Sequence, residues 1–266
     1  CCYIYIFSRF KLALFMKNYS ILLALAFTTS LLQAQTDFSQ LGTSLPTPNS
    51  YRTASGAPGH EYYQQKADYE MDIVLDDNKQ RIDGKETITY TNNSPDLLSY
   101  LWLQLDQNMR AKDSDTKKIR TISLDEGASY NDIKGLHNEF DGGFKLMKVT
   151  DINGNKMPYT VVKTMMRVDL PKPLKTGEST SLKIDYWYNI NNRKEIGGRS
   201  GLEYFEEEDN YLYTIAQFFP RMCVYNEVEG WQNKQFLGRG EFAVPFGDYT
   251  VNITVPDDHI VGSTGT

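Results

Sequence analysis

Histidine is the first side chain to test for chemistry, because neutral imidazole is the commonest metal ligand and can move protons near pH 7. The chain has three: His60, His137 and His259. A zinc-binding H-E-x-x-H needs two imidazoles one helical turn apart, with the Glu between them as base. His60-Glu61-Tyr62-Tyr63 opens that pattern, but position 64 is Gln64, and the segment follows a Pro/Gly-rich stretch rather than lying inside a helix. The other two histidines have no neighbours at metal-ligand spacing. The spacing therefore predicts no metal ligand and no catalytic residue within this chain.

Other candidates fail on similar grounds. Gly197-Gly198-Arg199-Ser200-Gly201 approaches a nucleophile elbow, but G-x-S-x-G requires Gly where Leu202 stands. The Gly-Lys-Ser/Thr ending of a phosphate loop is also missing, so a flexible loop is expected. Glu206-Glu207-Glu208-Asp209 lacks the alternating ligands and central Gly of a calcium loop, and reads as a solvated acidic turn. Cys223 has no adjacent His or Lys to hold a thiolate, and reads as a buried, inert thiol.

The elements around these residues read as strands. Tyr69 to Leu75 alternates apolar and polar residues, the period-two pattern of a half-buried strand. Arg81 to Thr91 repeats it, with Ile82, Ile88 and Tyr90 on one face. Tyr100 to Leu105 is nearly continuously apolar, as expected of a central strand. Phe144 to Val149 and Tyr159 to Lys163 flank Asn153-Gly154, which predicts a hairpin. Met165 to Leu170 is followed by the breakers Pro171-Lys172-Pro173. Between Thr180 and Tyr188, the residues Leu182, Ile184, Tyr186 and Tyr188 share a face, and Tyr249 to Pro256 forms a last strand. No 3.6-residue apolar stripe is sustained. The expected fold is all-β and antiparallel, an open sheet or sandwich.

Length and composition set outer limits. A chain of 266 residues, 40% hydrophobic and 23% charged, can bury a core and is not disordered by composition. Met16-Lys17, an apolar run from Ile21 to Leu32 and a small residue at Ala34 form a secretory signal, with cleavage expected after Ala34. The run is too short to span a bilayer. Residues 1–15 then read as sequence upstream of the start, 16–34 as signal, 35–60 as a Pro/Gly/Ser-rich tether and 61–266 as the β-rich domain. Losing Arg9, Lys11 and Lys17 makes a net charge of −6 still more negative. That disfavours nucleic acid and anionic lipid as partners. Of 3 Cys only Cys223 follows the expected cleavage site, which rules out an internal disulfide in the processed chain. An extracytoplasmic location, periplasmic or secreted, is the expectation.

Two stretches carry a resemblance. The first runs from Tyr69-Glu70-Met71-Asp72-Ile73-Val74-Leu75 through Gly84-Lys85-Glu86-Thr87-Ile88-Thr89-Tyr90 to Leu101-Trp102-Leu103-Gln104-Leu105-Asp106. The second runs from Ala216-Gln217-Phe218-Phe219-Pro220-Arg221-Met222 through Gly230-Trp231 and Gly247-Asp248-Tyr249 to Val261-Gly262-Ser263-Thr264-Gly265. In this order they resemble the N-terminal domain of secreted bacterial zinc aminopeptidases of the alanyl aminopeptidase (aminopeptidase N) family. The resemblance implies a saddle-shaped N-terminal sheet. It also implies a following catalytic domain with a Gly-x-Met-Glu-Asn strand, an H-E-x-x-H helix and a downstream Glu ligand. None of these motifs occurs here, so zinc, peptide substrates and N-terminal hydrolysis would belong to a longer protein of which this chain is a piece. The family's strand residue that reaches the peptide's α-amino group matches Gln217. The other reading of Gln217 is a structural amide bonded to a sheet edge. A different function class stays open too: a binding module stacking sugars on Trp102, Trp187 or Trp231, or a structural surface domain with open sheet edges.

Overall fold

The computed structural model describes residues 48–116, 118, 119, 139–238, 240 and 243–265. His137, Ala34 and the whole expected signal segment lie outside them. The described part is all-β, as expected, with one core shared between two sheets. The larger sheet has five strands. Its centre is β1 (Lys66–Asp76), β2 (Arg81–Thr91) and β7 (Ser179–Asn189), paired antiparallel along eleven-residue registers. β4 (Lys145–Asp151) flanks β7, and β13 (Tyr249–Thr254) flanks β1. The smaller sheet runs β10 (Arg221–Met222), β3 (Leu98–Gln104), β6 (Met165–Leu174), β5 (Tyr159–Val162).

Alternation explains which faces meet. Met71 and Ile73 on β1, Ile82, Ile88 and Tyr90 on β2, and Leu182, Ile184, Tyr186 and Tyr188 on β7 all point inward and are buried. Leu101 and Leu103 of β3, with Met166 and Val168 of β6, meet them from the other sheet. A strand repeats every two residues, so one choice of face commits the whole strand. β3 lies inside its sheet, as its apolar run predicts. Gly84 is needed on β2 because the Tyr186 ring lies across it; a Cβ there would come within 2.2 Å of the ring.

Three expectations need correction. The Asn153-Gly154 turn does not close a hairpin between β4 and β5. β4 pairs with β7 and β5 pairs with β6, so the turn passes the chain from one sheet to the other. The turn itself is well built, with the Asp151 carboxylate accepting from the backbone N–H groups of Asn153 and Asn155. An isolated bridge, Thr150 to Lys156, spans it. Second, Pro171 and Pro173 do not end a strand. β6 runs through them to Leu174, because they fall where the β3–β6 register shifts between Leu98 and Tyr100. At such a bulge no ladder N–H is required of them. Third, β13 runs parallel to β1, with Tyr69 opposite Tyr249, so the larger sheet is mixed at that edge.

Helix is scarce. The described residues hold one 3-10 turn (Asp106–Arg110) and one four-residue helix, α1 (Arg193–Ile196), whose N-cap Asn192 accepts from the Lys194 N–H. None is long and apolar enough to cross a membrane. Residues 49–62 coil into a hydrogen-bonded loop, in which Gly59 N–H donates to the Tyr51 carbonyl and Arg52 pairs with Glu227.

Candidate functional site

Gln217 follows β9 (Asn210–Thr214), which forms a hairpin with β8 (Gly201–Phe205). It precedes β10, which is pinned into the smaller sheet. Its backbone φ is +52°, in the left-handed region. A residue with a Cβ pays roughly 1–2 kcal/mol to sit there. Three groups hold it. The Gln107 side-chain amide donates to the carbonyls of both Ala216 (2.9 Å) and Gln217 (3.1 Å). The Ser200 hydroxyl accepts from the Ala216 N–H. Downstream, the Phe219 ring packs edge-on against Tyr69 at 5.3 Å.

The holding groups are themselves fixed. Gln107 accepts from Arg110 Nη1 through its Oε1 (2.9 Å), which settles which end of the amide faces Gln217. Burial lowers the affinity of the Arg110 guanidinium for its proton. Arg221 begins β10 with Nε 2.6 Å from Asp106 Oδ2 and Nη2 3.0 Å from Gln104 Oε1. The Tyr69 hydroxyl accepts from the Met222 N–H. Gln104 closes β3, and Asp106 and Gln107 lie in the 3-10 turn that follows it. One short segment of chain therefore clamps both sides of residue 217.

The Gln217 side chain is half-buried, and its amide makes no hydrogen bond with the described residues. Its Oε1 is a neutral acceptor and its Nε2 a two-proton donor. The arrangement can offer one oriented amide to a ligand and cannot by itself break a bond.

Ser200, weighed above as a nucleophile, is 2% exposed and spends its hydroxyl on Ala216. Gly197, Gly198 and Arg199 are an exposed loop, as expected, and within this segment Ser200 alone supports residue 216. Cys223 is buried, with its thiol pushed up to about 12 by desolvation, so it stays protonated. His60 is exposed. The ring of His259 packs on Tyr213, with Nδ1 2.7 Å from Asp258. No group of three His, Cys, Asp or Glu that could hold a metal ion occurs among the described residues. Zinc therefore does not fit the residues described here. Trp102, Trp187 and Trp231 are all half-buried. Trp187 has Arg81 at 5.1 Å and Lys145 at 5.9 Å over its ring, and Trp231 packs on Tyr90 and Tyr225.

The sequence matches no protein-family model, and no curated protein resembles it significantly. Solved structures do match. A two-domain M1 zinc metallopeptidase mutant bound to L-arginine is 15% identical over 73% of this chain and 33% of its own, with a TM-score of 0.37. An M1 zinc metallopeptidase mutant from Deinococcus radiodurans, bound to a Tyr-Ser-Ala substrate, is 16% identical over 75% of this chain and 34% of its own, with a TM-score of 0.36. The M1 zinc metallopeptidase of the same organism without that mutation is 14% identical, covering 73% of this chain and 33% of its own, with a TM-score of 0.37. The chain thus spans about a third of the length of these structures.

Sequence reasoning singled out Gln217 but missed its supports. Gln107 stands about a hundred residues away in a turn with no motif, and Ser200 was masked by its glycines. Replacing Gln217 with Gly tests the backbone alone. Removing the left-handed penalty outweighs the extra freedom of an unfolded Gly. Gln217→Gly is therefore expected to raise unfolding stability by up to about 1 kcal/mol in urea titration. A loss of stability would show that the side chain, rather than the clamp, holds this loop.

Proposed function

We propose that this chain is the non-catalytic N-terminal domain of a zinc-dependent aminopeptidase, in which Gln217 helps bind the α-ammonium group of a peptide. The observation that carries this reading is the Gln217 loop: a left-handed non-glycine backbone, clamped by Gln107 and Ser200, with the side-chain amide left over. Strain of this kind persists where the surroundings supply the energy that holds it, and Gln107 and Ser200 do so here. The order of matching segments in the sequence supports the same reading.

In this proposal the hydrolytic groups and zinc ligands lie outside the residues described here. When bound, zinc would supply Lewis-acid polarisation of the scissile carbonyl. This chain's part is positional. The Gln217 Oε1 accepts a hydrogen bond from the substrate ammonium, and Gln107 keeps the loop from swinging away. A neutral amide suits that task because it adds no charge to compete with the carboxylates that define an exopeptidase site. The signal-like segment from Met16 to Ala34 supports an extracytoplasmic placement, periplasmic or secreted, as part of the same proposal.

The test has two arms. The chain alone, with or without added zinc, should release no free aniline from aminoacyl-anilide substrates; metal-dependent turnover would overturn the assignment. In the parent enzyme, Gln217→Ala should raise KM about 10- to 100-fold, the worth of one hydrogen bond to a charged group. Blocking the substrate's amine should erase the difference between wild type and variant. An unchanged KM would return Gln217 to a purely structural role.

A further inference from the structure

The β8–β9 hairpin carries a feature that the reading of Gln217 does not use. Directly opposed residues on an antiparallel pair share a face. Tyr204 pairs with Tyr211, and Leu202 with Tyr213, so three tyrosines lie on one side. Their rings form a continuous row. Tyr204 and Tyr211 have centroids 4.9 Å apart, Tyr211 and Tyr213 6.0 Å, and His259 extends the row 5.7 Å beyond Tyr213. Tyr204 and Tyr211 remain 37% and 43% exposed.

Carboxylates from two separate turns contact this row, and a third carboxylate lies near it. Asp209 accepts from the Tyr204 hydroxyl at 2.6 Å, at a hairpin tip that also carries the exposed Glu206, Glu207 and Glu208. Asp258 contacts His259. The Tyr213 hydroxyl donates to Gln80, which closes the turn begun by Asp77, and the Asp77 charge acts on that phenol. Two neighbouring cations sit on the opposite face of the hairpin. There Arg193 of α1 pairs with Glu203, and Lys194 lies over the Phe205 ring.

Partly exposed aromatic rings carry π density, and a carboxylate rim adds negative charge beside them. That combination attracts guanidinium and ammonium groups and repels anions. In an extended peptide, residues i and i+2 project to the same side about 6.7 Å apart, a spacing close to the ring steps. We propose that the tyrosine face of the β8–β9 hairpin docks an extended peptide segment carrying Arg or Lys at alternate positions. This site is independent of the aminopeptidase assignment, since it uses none of the groups around Gln217.

The experiment is fluorescence anisotropy of the full chain with a fluorescein-labelled alternating Arg-Ser octapeptide, at 20–300 mM salt. Binding that weakens with salt is expected, with no binding of an alternating Glu-Ser peptide. The double variant Tyr204→Ala/Tyr211→Ala should weaken binding about tenfold, while Tyr204→Phe/Tyr211→Phe, which keeps the rings, should stay within about threefold. Both pairs lie on an exposed hairpin, and circular dichroism checks that the fold is kept. The proposal is overturned if the Ala pair binds as wild type does. It is equally overturned if only Glu206→Gln/Glu207→Gln/Glu208→Gln weakens binding, or if an uncharged Gly-Ser peptide or a cello-oligosaccharide binds as tightly.

Discussion

Asp106→Ala is expected to lower the free energy of unfolding by roughly 3–5 kcal/mol, the largest single effect we foresee. Asp106 is fully buried, and its carboxylate takes two contacts from the Arg221 guanidinium, at 2.6 and 3.3 Å. Removing it leaves a buried cation whose remaining side-chain partner is Gln104. The cost is mostly that of the orphaned charge, not the worth of the pair, because both ions gave up hydration to be there. The double variant Asp106→Leu/Arg221→Met should therefore recover much of the loss. Urea titrations of the single and double variants measure the difference. A double variant less stable than Asp106→Ala would mean that the pair stabilises the fold outright. The same variants should loosen Gln217, since β10 begins at Arg221.

Glu86→Met is expected to stabilise the protein, and by more as the pH rises. Glu86 points into the shared core from β2, and neither carboxyl oxygen has a hydrogen-bond partner among the described residues. Desolvation raises its pKa well above the usual carboxylate range, so the folded protein holds it as a neutral acid. The titratable groups whose protonation its charge affects are Tyr69 and Tyr186, both also held protonated by burial. Because the folded pKa is the raised one, the unfolded chain binds fewer protons at any pH between the two values. Stability is then complete below the unfolded value, near pH 4.3, and falls by about 1.4 kcal/mol per pH unit until the folded pKa is passed. Methionine has similar length and no proton to lose. Glu86→Met should exceed wild type already near pH 4, because it removes two unpartnered buried oxygens, and its advantage should grow as the pH rises from there. Denaturant titrations from pH 4 to 9 check this. A gain that does not change with pH would show that Glu86 does not titrate on unfolding.

Glu86 also shows what sequence can and cannot reveal. Its strand was legible, because Ile82, Ile88 and Tyr90 announce a period of two, and 86 is in phase with them. β1 and β7 were legible for the same reason. What alternation could not supply was the partner of each strand. Asn153-Gly154 correctly marks a turn, but a turn signal is local, and whether β5 returns to β4 or joins another sheet depends on distant packing. The prolines of β6 misled in the opposite sense, since a bulge excuses them only once the β3 register is known. Around Gln217, the informative contacts join residues more than a hundred positions apart. A left-handed backbone at a non-glycine position leaves no mark in the letters. The tyrosine row emerges only when the hairpin register sets Tyr204 opposite Tyr211.

The parallel pairing of β13 with β1 bears on how the chain is made. Asp248 N–H donates to the Asp68 carboxylate across 180 positions of sequence. A ribosome adding about 5–20 residues per second needs roughly 10–40 s to synthesise that interval. Throughout it, β1 can pair with β2 but presents its other edge to whatever else is nearby. Contacts this distant in sequence also close late, because the loop entropy must be met before they form. That edge of β1 therefore stays open to mispairing until β13 is made.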